Sequence, residues 1–123
     1  MRLLLDTHVL IWWDQGARLS REALRAIREA DEVFVSSVSA WEIEIKRALG
    51  KVVANRTIAE AAQASGFSEL PVLMRHTEQL RGLEPLHRDP FDRLLVAQAR
   101  SESVVLVTRD PQVLAYGVPT IRA

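Results

Sequence analysis

Cysteine is absent from the 123 residues. That excludes disulfide staples and thiolate metal sites, and it is compatible with the reducing cytoplasm expected as this chain's location. No apolar stretch is long enough to cross a bilayer and no charged-then-apolar leader opens the chain, so neither a membrane span nor a secretory signal is expected. Internal repeats, low-complexity segments and interdomain linkers are missing as well, and the length suits one domain spanning residues 1–123. There is no excess charge: sixteen basic residues balance sixteen acidic ones. A neutral total argues against holding nucleic acid by bulk charge, yet permits a local basic patch beside an acidic site. Lysine is scarce, with Arg supplying fourteen of the sixteen cations, and Arg is the better fork for phosphate. What remains is 48% hydrophobic and 26% charged, the balance of a soluble globular protein with a proper core.

Two apolar runs stand out. Leu3-Leu4-Leu5 breaks at Asp6-Thr7, and Val104–Val107 breaks at Thr108-Arg109-Asp110. Uninterrupted runs of this kind suit strands buried on both faces of a parallel sheet. Shorter candidates are Val33–Val35, closed by Ser36-Ser37, then Phe67–Val72, which Pro71 marks as an edge or strand end, and a final edge strand over Val118–Ile121. Between them the pattern predicts helices at His8–Asp14, Arg21–Ala30 behind an N-cap Ser20, Val38–Leu49 with Gly50 as its stop, and Thr57 to about Gly66. Further helices are expected at Leu73–Leu83, interrupted at Gly82, from Asp89-Pro90 to Ser103, and as a short turn after Asp110-Pro111. Strands alternating with helices predict a three-layer α/β/α sandwich around a central parallel sheet.

In such sheets ligands sit beyond the carboxyl ends of the strands, where Asp6 and Asp110 fall. Each has an ordinary explanation as a helix N-cap, Asp110 the more so because Pro follows it. Glu42 carries more information. With Val38, Trp41, Ile45 and Leu49 taken as the apolar stripe of its helix, Glu42 lies within about 20° of Leu49 and about 40° of Val38 at 100° per residue. A carboxylate beside the core is costly unless paired or bound to a cation; the plain alternative is a surface i,i+4 bridge with Lys46, worth a few tenths of a kcal/mol. In His87-Arg88-Asp89-Pro90-Phe91-Asp92-Arg93, Asp89 reads as N-cap before Pro90, whereas Asp92 shares its face with Leu95, Val96 and Ala99 and points inward.

Asp6, Glu42, Asp92 and Asp110 each have a bland account, but all four accounts would have to hold together. Converging carboxylates repel unless a cation neutralises them. Hard oxygen donors favour Mg²⁺ or Mn²⁺ over zinc, and an ion in an acidic crevice rimmed by Arg could polarise a phosphate and activate water. Thr7 and Thr108 are candidates to orient those acids, Asp89 to support them, and Arg88, Arg93 and Arg109 to contact phosphate.

These motifs resemble a family. Leu5-Asp6-Thr7, Ser36-Ser37-Val38-Ser39-Ala40-Trp41-Glu42-Ile43, Asp89-Pro90-Phe91-Asp92-Arg93 and Val107-Thr108-Arg109-Asp110 are similar, in order and separation, to those of PIN-domain ribonucleases, and the length resembles the VapC-type toxins of toxin–antitoxin pairs. The resemblance covers essentially the whole chain. It implies an α/β/α fold, a Mg²⁺- or Mn²⁺-dependent endoribonuclease with its metal-binding acids at Asp6, Glu42, Asp92 and Asp110, an RNA substrate, a cognate antitoxin and a homodimer.

Adjacent Trp12 and Trp13 cannot both face a core from one short helix; one is expected to pack and the other to meet a protein partner or stack on an RNA base. His8, His76 and His87 are expected at the surface or behind the acids, because the chemistry needs no histidine base. Two other functions remain. A haloacid-dehalogenase-like phosphatase also begins with a strand ending in Asp, but would need a second Asp where His8 stands. A catalytically weak PIN-like domain that only binds protein or RNA should have lost an acid, and none is missing.

Overall fold

The Leu3–Leu5 run forms the middle of the molecule. In a computed structural model, which describes residues 1–52 and 55–123, β1 (Arg2–Leu5) is followed by α1 (Thr7–Asp14), α2 (Arg21–Glu29), β2 (Glu32–Ser36), α3 (Ser37–Ala48), α4 (Ile58–Ala64) and β3 (Ser68–Leu70). Then come α5 (Met74–Gln79) with a 3-10 turn at Leu80–Gly82, α6 (Pro90–Glu102), β4 (Val105–Thr108), α7 (Pro111–Leu114) and β5 (Thr120–Arg122). The five strands form one sheet in the order β3-β2-β1-β4-β5, and every pairing is parallel. The last two strands each lie one or two residues later than their apolar runs suggested, with Thr108 and Arg122 drawn into the ladder.

Alternation along β1 explains the layers. Leu3 and Leu5 join Val9, Ala23, Ile27 and Ile58 on one face, and Leu4 joins Leu95, Val96, Ala99 and Leu106 on the other. All three leucines are fully buried, which on the order of 25 cal/mol per Å² makes them a principal source of stability. Helices α1, α2 and α4 therefore cover one side, α6 and α7 the other. The helices start where the caps are: Ser20 Oγ accepts from Ala23 N at 3.0 Å, Thr57 and Glu60 form a reciprocal capping box, and Asp89 Oδ1 accepts from Phe91 N at 2.8 Å with Pro90 at the first turn.

Helix α3 corrects the expected stripe. It buries Val38, Ser39, Glu42 and Ile43, while Trp41 and Leu49 are 60% and 63% exposed. The helix lies across the carboxyl end of the sheet, contributing Val38 to one core and Ile43 to the other. Its inward face is consequently the one that meets polar groups from α1, and Trp41 instead packs edge-on against Phe91 with ring centroids 5.1 Å apart.

The direction of chain progress across the sheet reverses between β1 and β4: β2 and β3 are added on one side of β1, then β4 on the other. This is the switch point at which open α/β sheets form their crevice.

Candidate active site

At that switch point a crevice of about 250 Å³ is walled by Asp6, Glu42, Asp89, Asp92 and Asp110 together with Lys46, His87 and Arg109. All four acids singled out in the sequence reach it. Asp6 leaves the end of β1, where its N–H donates to Val107 O at 3.0 Å, and its Oδ1 accepts from His8 N at 3.2 Å as the cap of α1. Oδ2 accepts from Thr108 Oγ1 at 2.7 Å, and Thr108 in turn accepts from Asp110 N at 3.1 Å. The two neighbouring strand ends are tied together by this short chain of hydrogen bonds.

Glu42 is 2% exposed. Thr7 Oγ1 donates to its Oε1 at 2.8 Å and lies 2.7 Å from Ser39 Oγ. Lys46 Nζ donates to its Oε2 at 2.7 Å. The i,i+4 pair therefore exists, but it is no surface bridge: its acid is buried and its ammonium faces the crevice. Thr7 and Thr108, both essentially buried, each donate a hydrogen bond to one of these acids, Glu42 and Asp6.

Asp92 sits at the first turn of α6, 14% exposed at its side chain. Its carboxyl is pushed up to about 7 by burial, then by repulsion from Asp6, Asp89 and Glu42, against a hydrogen bond from His87. Asp6 is raised as well, chiefly by burial, with the charge of Glu42 adding to it and the bonds from Thr108 and His8 opposing. A pair of acids held in this way is short of positive charge.

His87 is the residue the sequence undervalued. It is half-buried against the acids: its Nε2 stands 2.9 Å from Asp92 Oδ2 and 3.5 Å from Asp110 Oδ2, in a group with ligand atoms all within 4.8 Å of one another, so it can hold Asp92 from behind or join the acids at an ion. Asp89 N approaches its Nδ1 at 3.5 Å, so Nε2 carries the hydrogen and donates to Asp92. A His two residues before an Asp-Pro cap is the signal that could have found it, because the turn into α6 folds that side chain back over the cap. His76 departs from expectation in the other direction. It is fully buried far from the crevice, where Nδ1 accepts from Leu73 N at 3.0 Å and Nε2 meets Glu102 at 3.1 Å, joining α5 to α6.

The arginines separate. Arg109 lines the crevice with its guanidinium carbon 3.9 Å from the centroid of the Trp12 ring, a cation–π contact. Arg93 does not: it donates to Glu84 O at 2.9 Å and Tyr116 Oη at 3.0 Å, because the residue after Asp92 points about 100° away around the helix. Arg88 is exposed and takes no part in the crevice wall. The two tryptophans both pack within the chain, at the margins of the core. Trp13 meets Phe67 at 5.9 Å and donates from Nε1 to Ser65 Oγ at 3.0 Å, while Trp12 lies on the crevice rim between Arg109 and His8.

Carboxylate oxygens and one imidazole make a donor set that could hold a metal ion: among the described residues His87, Asp92 and Asp110 each offer a ligand atom, all within 4.8 Å of one another. Among the described residues no helix is long and apolar enough to cross a membrane.

Comparison with known proteins agrees with this architecture. Residues 3–118 match the PIN domain. Ribonuclease VapC22 of Mycobacterium tuberculosis is 33% identical over 125 aligned residues, covering 95% of this chain and 93% of that protein. Two solved structures share the fold at low identity. One is DNA-bound VapBC from Salmonella typhimurium, with TM-score 0.71, 16% identity and coverage of 99% of this chain and 98% of the other. The second is VapBC2 from Rickettsia felis bound to a promoter DNA fragment, with TM-score 0.68, 15% identity and coverage of 99% and 98%. By fold, by the placing of its acids at the switch point and by these matches, the chain belongs to the PIN-domain family.

Proposed function

We propose that this chain is a Mg²⁺- or Mn²⁺-dependent endoribonuclease acting as the toxin of a toxin–antitoxin pair. The observation that carries the reading is the meeting of Asp6 and Asp92 in one crevice at the β1/β4 switch point, a buried and a half-buried carboxyl both raised above the usual range and with no Lys or Arg ion-pair partner among the described residues. Asp6, Glu42, Asp92 and Asp110 are the acids of the site. Of these, Asp6, Asp92 and Asp110 would hold the ion, and Glu42 stands beside them, braced by Thr7. When bound, the ion supplies Lewis-acid polarisation of the phosphodiester and lowers the pKa of an attacking water.

The residues of the chain do the rest. Thr108 fixes the Asp6 carboxylate, and His87 fixes that of Asp92, so neither must reorganise when substrate arrives. Asp89 holds the first turn of α6 and thereby the height of Asp92. Arg109, at the rim with Trp12, is placed to take a phosphate neighbouring the scissile one. The likeness to a protein named ribonuclease VapC22 supports RNA as the substrate. Structural neighbours that are VapBC complexes support a cognate antitoxin as partner, and the same reading includes a homodimer working in the cytoplasm. The family match removes the phosphatase alternative, and a binding-only role is opposed by a complete set of acids brought to one crevice.

The test is cleavage of a labelled single-stranded or loop-containing RNA by purified protein. Cleavage should require Mg²⁺ or Mn²⁺ and stop with EDTA; equal cleavage in EDTA, or none with either ion, would refute it.

A further inference from the structure

The acids of the crevice are not all equally short of positive charge. Each oxygen of Glu42 accepts one hydrogen bond, Oε1 from the Thr7 hydroxyl and Oε2 from a cation, the Lys46 ammonium. Lys46 stands one helical turn after Glu42 on α3, so the i,i+4 geometry of a regular helix holds the charge in place. Its side chain is 30% exposed, and it lines the crevice alongside Asp89 and Asp92. An ammonium has three hydrogens, and Glu42 is its one hydrogen-bond partner among the described residues, which leaves two hydrogens to donate into the crevice that Lys46 lines. On the other side, Asp92 and Asp110 have only His87 between them, and Asp6 has His8 at 4.0 Å. Glu42 thus has a Lys ion-pair partner, whereas Asp6, Asp92 and Asp110 pair with no Lys or Arg among the described residues, Arg109 standing at the rim.

From this contrast we infer that Lys46 is a built-in cation of the site, standing beside Glu42 where a second divalent ion would otherwise be needed, so that the chain works with one ion on the Asp6–Asp92–Asp110 side. The inference rests on the metal-dependent reading above and deepens it. It makes Glu42 the anchor of Lys46 rather than a ligand of the ion, and gives Lys46 the task of holding the substrate phosphate opposite that ion. It also accounts for the burial of Glu42, since a carboxylate so enclosed is tolerable only with a permanent partner.

The experiment counts Mn²⁺ ions per chain by calorimetry and by electron paramagnetic resonance, where two ions about 4 Å apart would couple and broaden the six-line spectrum of one. Wild type is expected to take one ion and show an uncoupled spectrum. Lys46→Met should leave that ion within about threefold of its affinity, admit a second, weaker one beside Glu42, and lower kcat about 100-fold with a smaller change in KM; Lys46→Arg should stay at one ion and keep most of kcat. Should Lys46→Met fail to fold, the double variant Glu42→Gln with Lys46→Met removes both charges together, and it should bind one ion as wild type does. Two comparable ions in wild type, an unchanged kcat in a folded Lys46→Met, or loss of the ion in the double variant would overturn the inference while leaving a metal-dependent nuclease intact. No ion in wild type would overturn the functional reading itself.

Discussion

Replacing Asp92 by Asn should stabilise the metal-free protein while destroying its activity. The Asp92 carboxyl moves from 3.8 to about 7 on folding. Those roughly three units correspond to ~4 kcal/mol at 1.36 kcal/mol per unit. Partial exposure and screening reduce the usable figure to about 2 kcal/mol. Because the folded-state pKa is raised, the fold suffers no penalty below the unfolded value near 4 and progressively loses stability as pH rises through about 7, where the buried group must ionise. Asn keeps an oxygen for the His87 Nε2–H but carries no charge. At pH 8, in EDTA, Asp92→Asn should therefore melt roughly 8 °C above wild type; at pH 5 the gain should fall below half of that, since much of the carboxyl is then protonated in the fold. Mn²⁺ should raise the wild-type midpoint at pH 8 and leave the variant nearly unchanged. Scanning calorimetry at the two pH values decides it. A variant no more stable than wild type at pH 8, or one stabilised equally at both pH values, would refute the claim that the site stores uncompensated charge.

Three further outcomes follow from the same contacts. Thr108→Val removes the 2.7 Å bond to Asp6 and the acceptor for Asp110 N; it should lower Mn²⁺ affinity about 10- to 100-fold in calorimetric titration and reduce stability by roughly 1–3 kcal/mol in urea unfolding. Arg109→Ala should raise KM for RNA several-fold with little change in kcat, and fluorescence titration should show the slope of log affinity against log salt shallower by about 0.7. Glu102 is held down at about 2 by hydrogen bonds from Arg75 and His76, so its contribution is present above the ordinary carboxylate range and lost as pH falls through about 2. Glu102→Gln should lower the melting midpoint at pH 7 by a few degrees, for about 1 kcal/mol after screening, and leave RNA cleavage untouched.

Much of this was legible in the residue order, and the failures have physical causes. Leu3–Leu5 and Val104–Val107 announced buried parallel strands because no polar residue interrupts them, and their adjacency brought Asp6 and Asp110 together. Asp92 was legible from its shared face with Leu95, Val96 and Ala99. The face of α3 was misjudged in part: Glu42 was read beside the core, where it lies, but Trp41 and Leu49 weigh heavily in an apolar stripe, whereas Ser39 is drawn inward beside a hydroxyl on α1 that no local pattern reveals. Arg93 failed for want of a partner visible in sequence: the carbonyl of Glu84 and the hydroxyl of Tyr116 reach it only through the fold. His87 was passed over because no histidine was required by the chemistry, although the turn at Asp89-Pro90 places its ring between two of the acids.

The central claim is that the acids at the β1/β4 switch point perform metal-dependent RNA hydrolysis, and Asp6→Asn tests it most directly. Asn preserves the size of the side chain and, with its oxygen toward His8 N, the cap bond; its NH2 meets Thr108 only by donating to that hydroxyl, the reverse of the wild-type bond, so a folded variant differs from wild type chiefly by one negative charge and that one reversed bond. Single-turnover cleavage of labelled RNA in saturating Mn²⁺ should fall at least 1,000-fold, about 4 kcal/mol of transition-state stabilisation, with a melting midpoint in EDTA no lower than that of wild type. Cleavage that remained metal-dependent and near the wild-type rate in that variant would contradict the account.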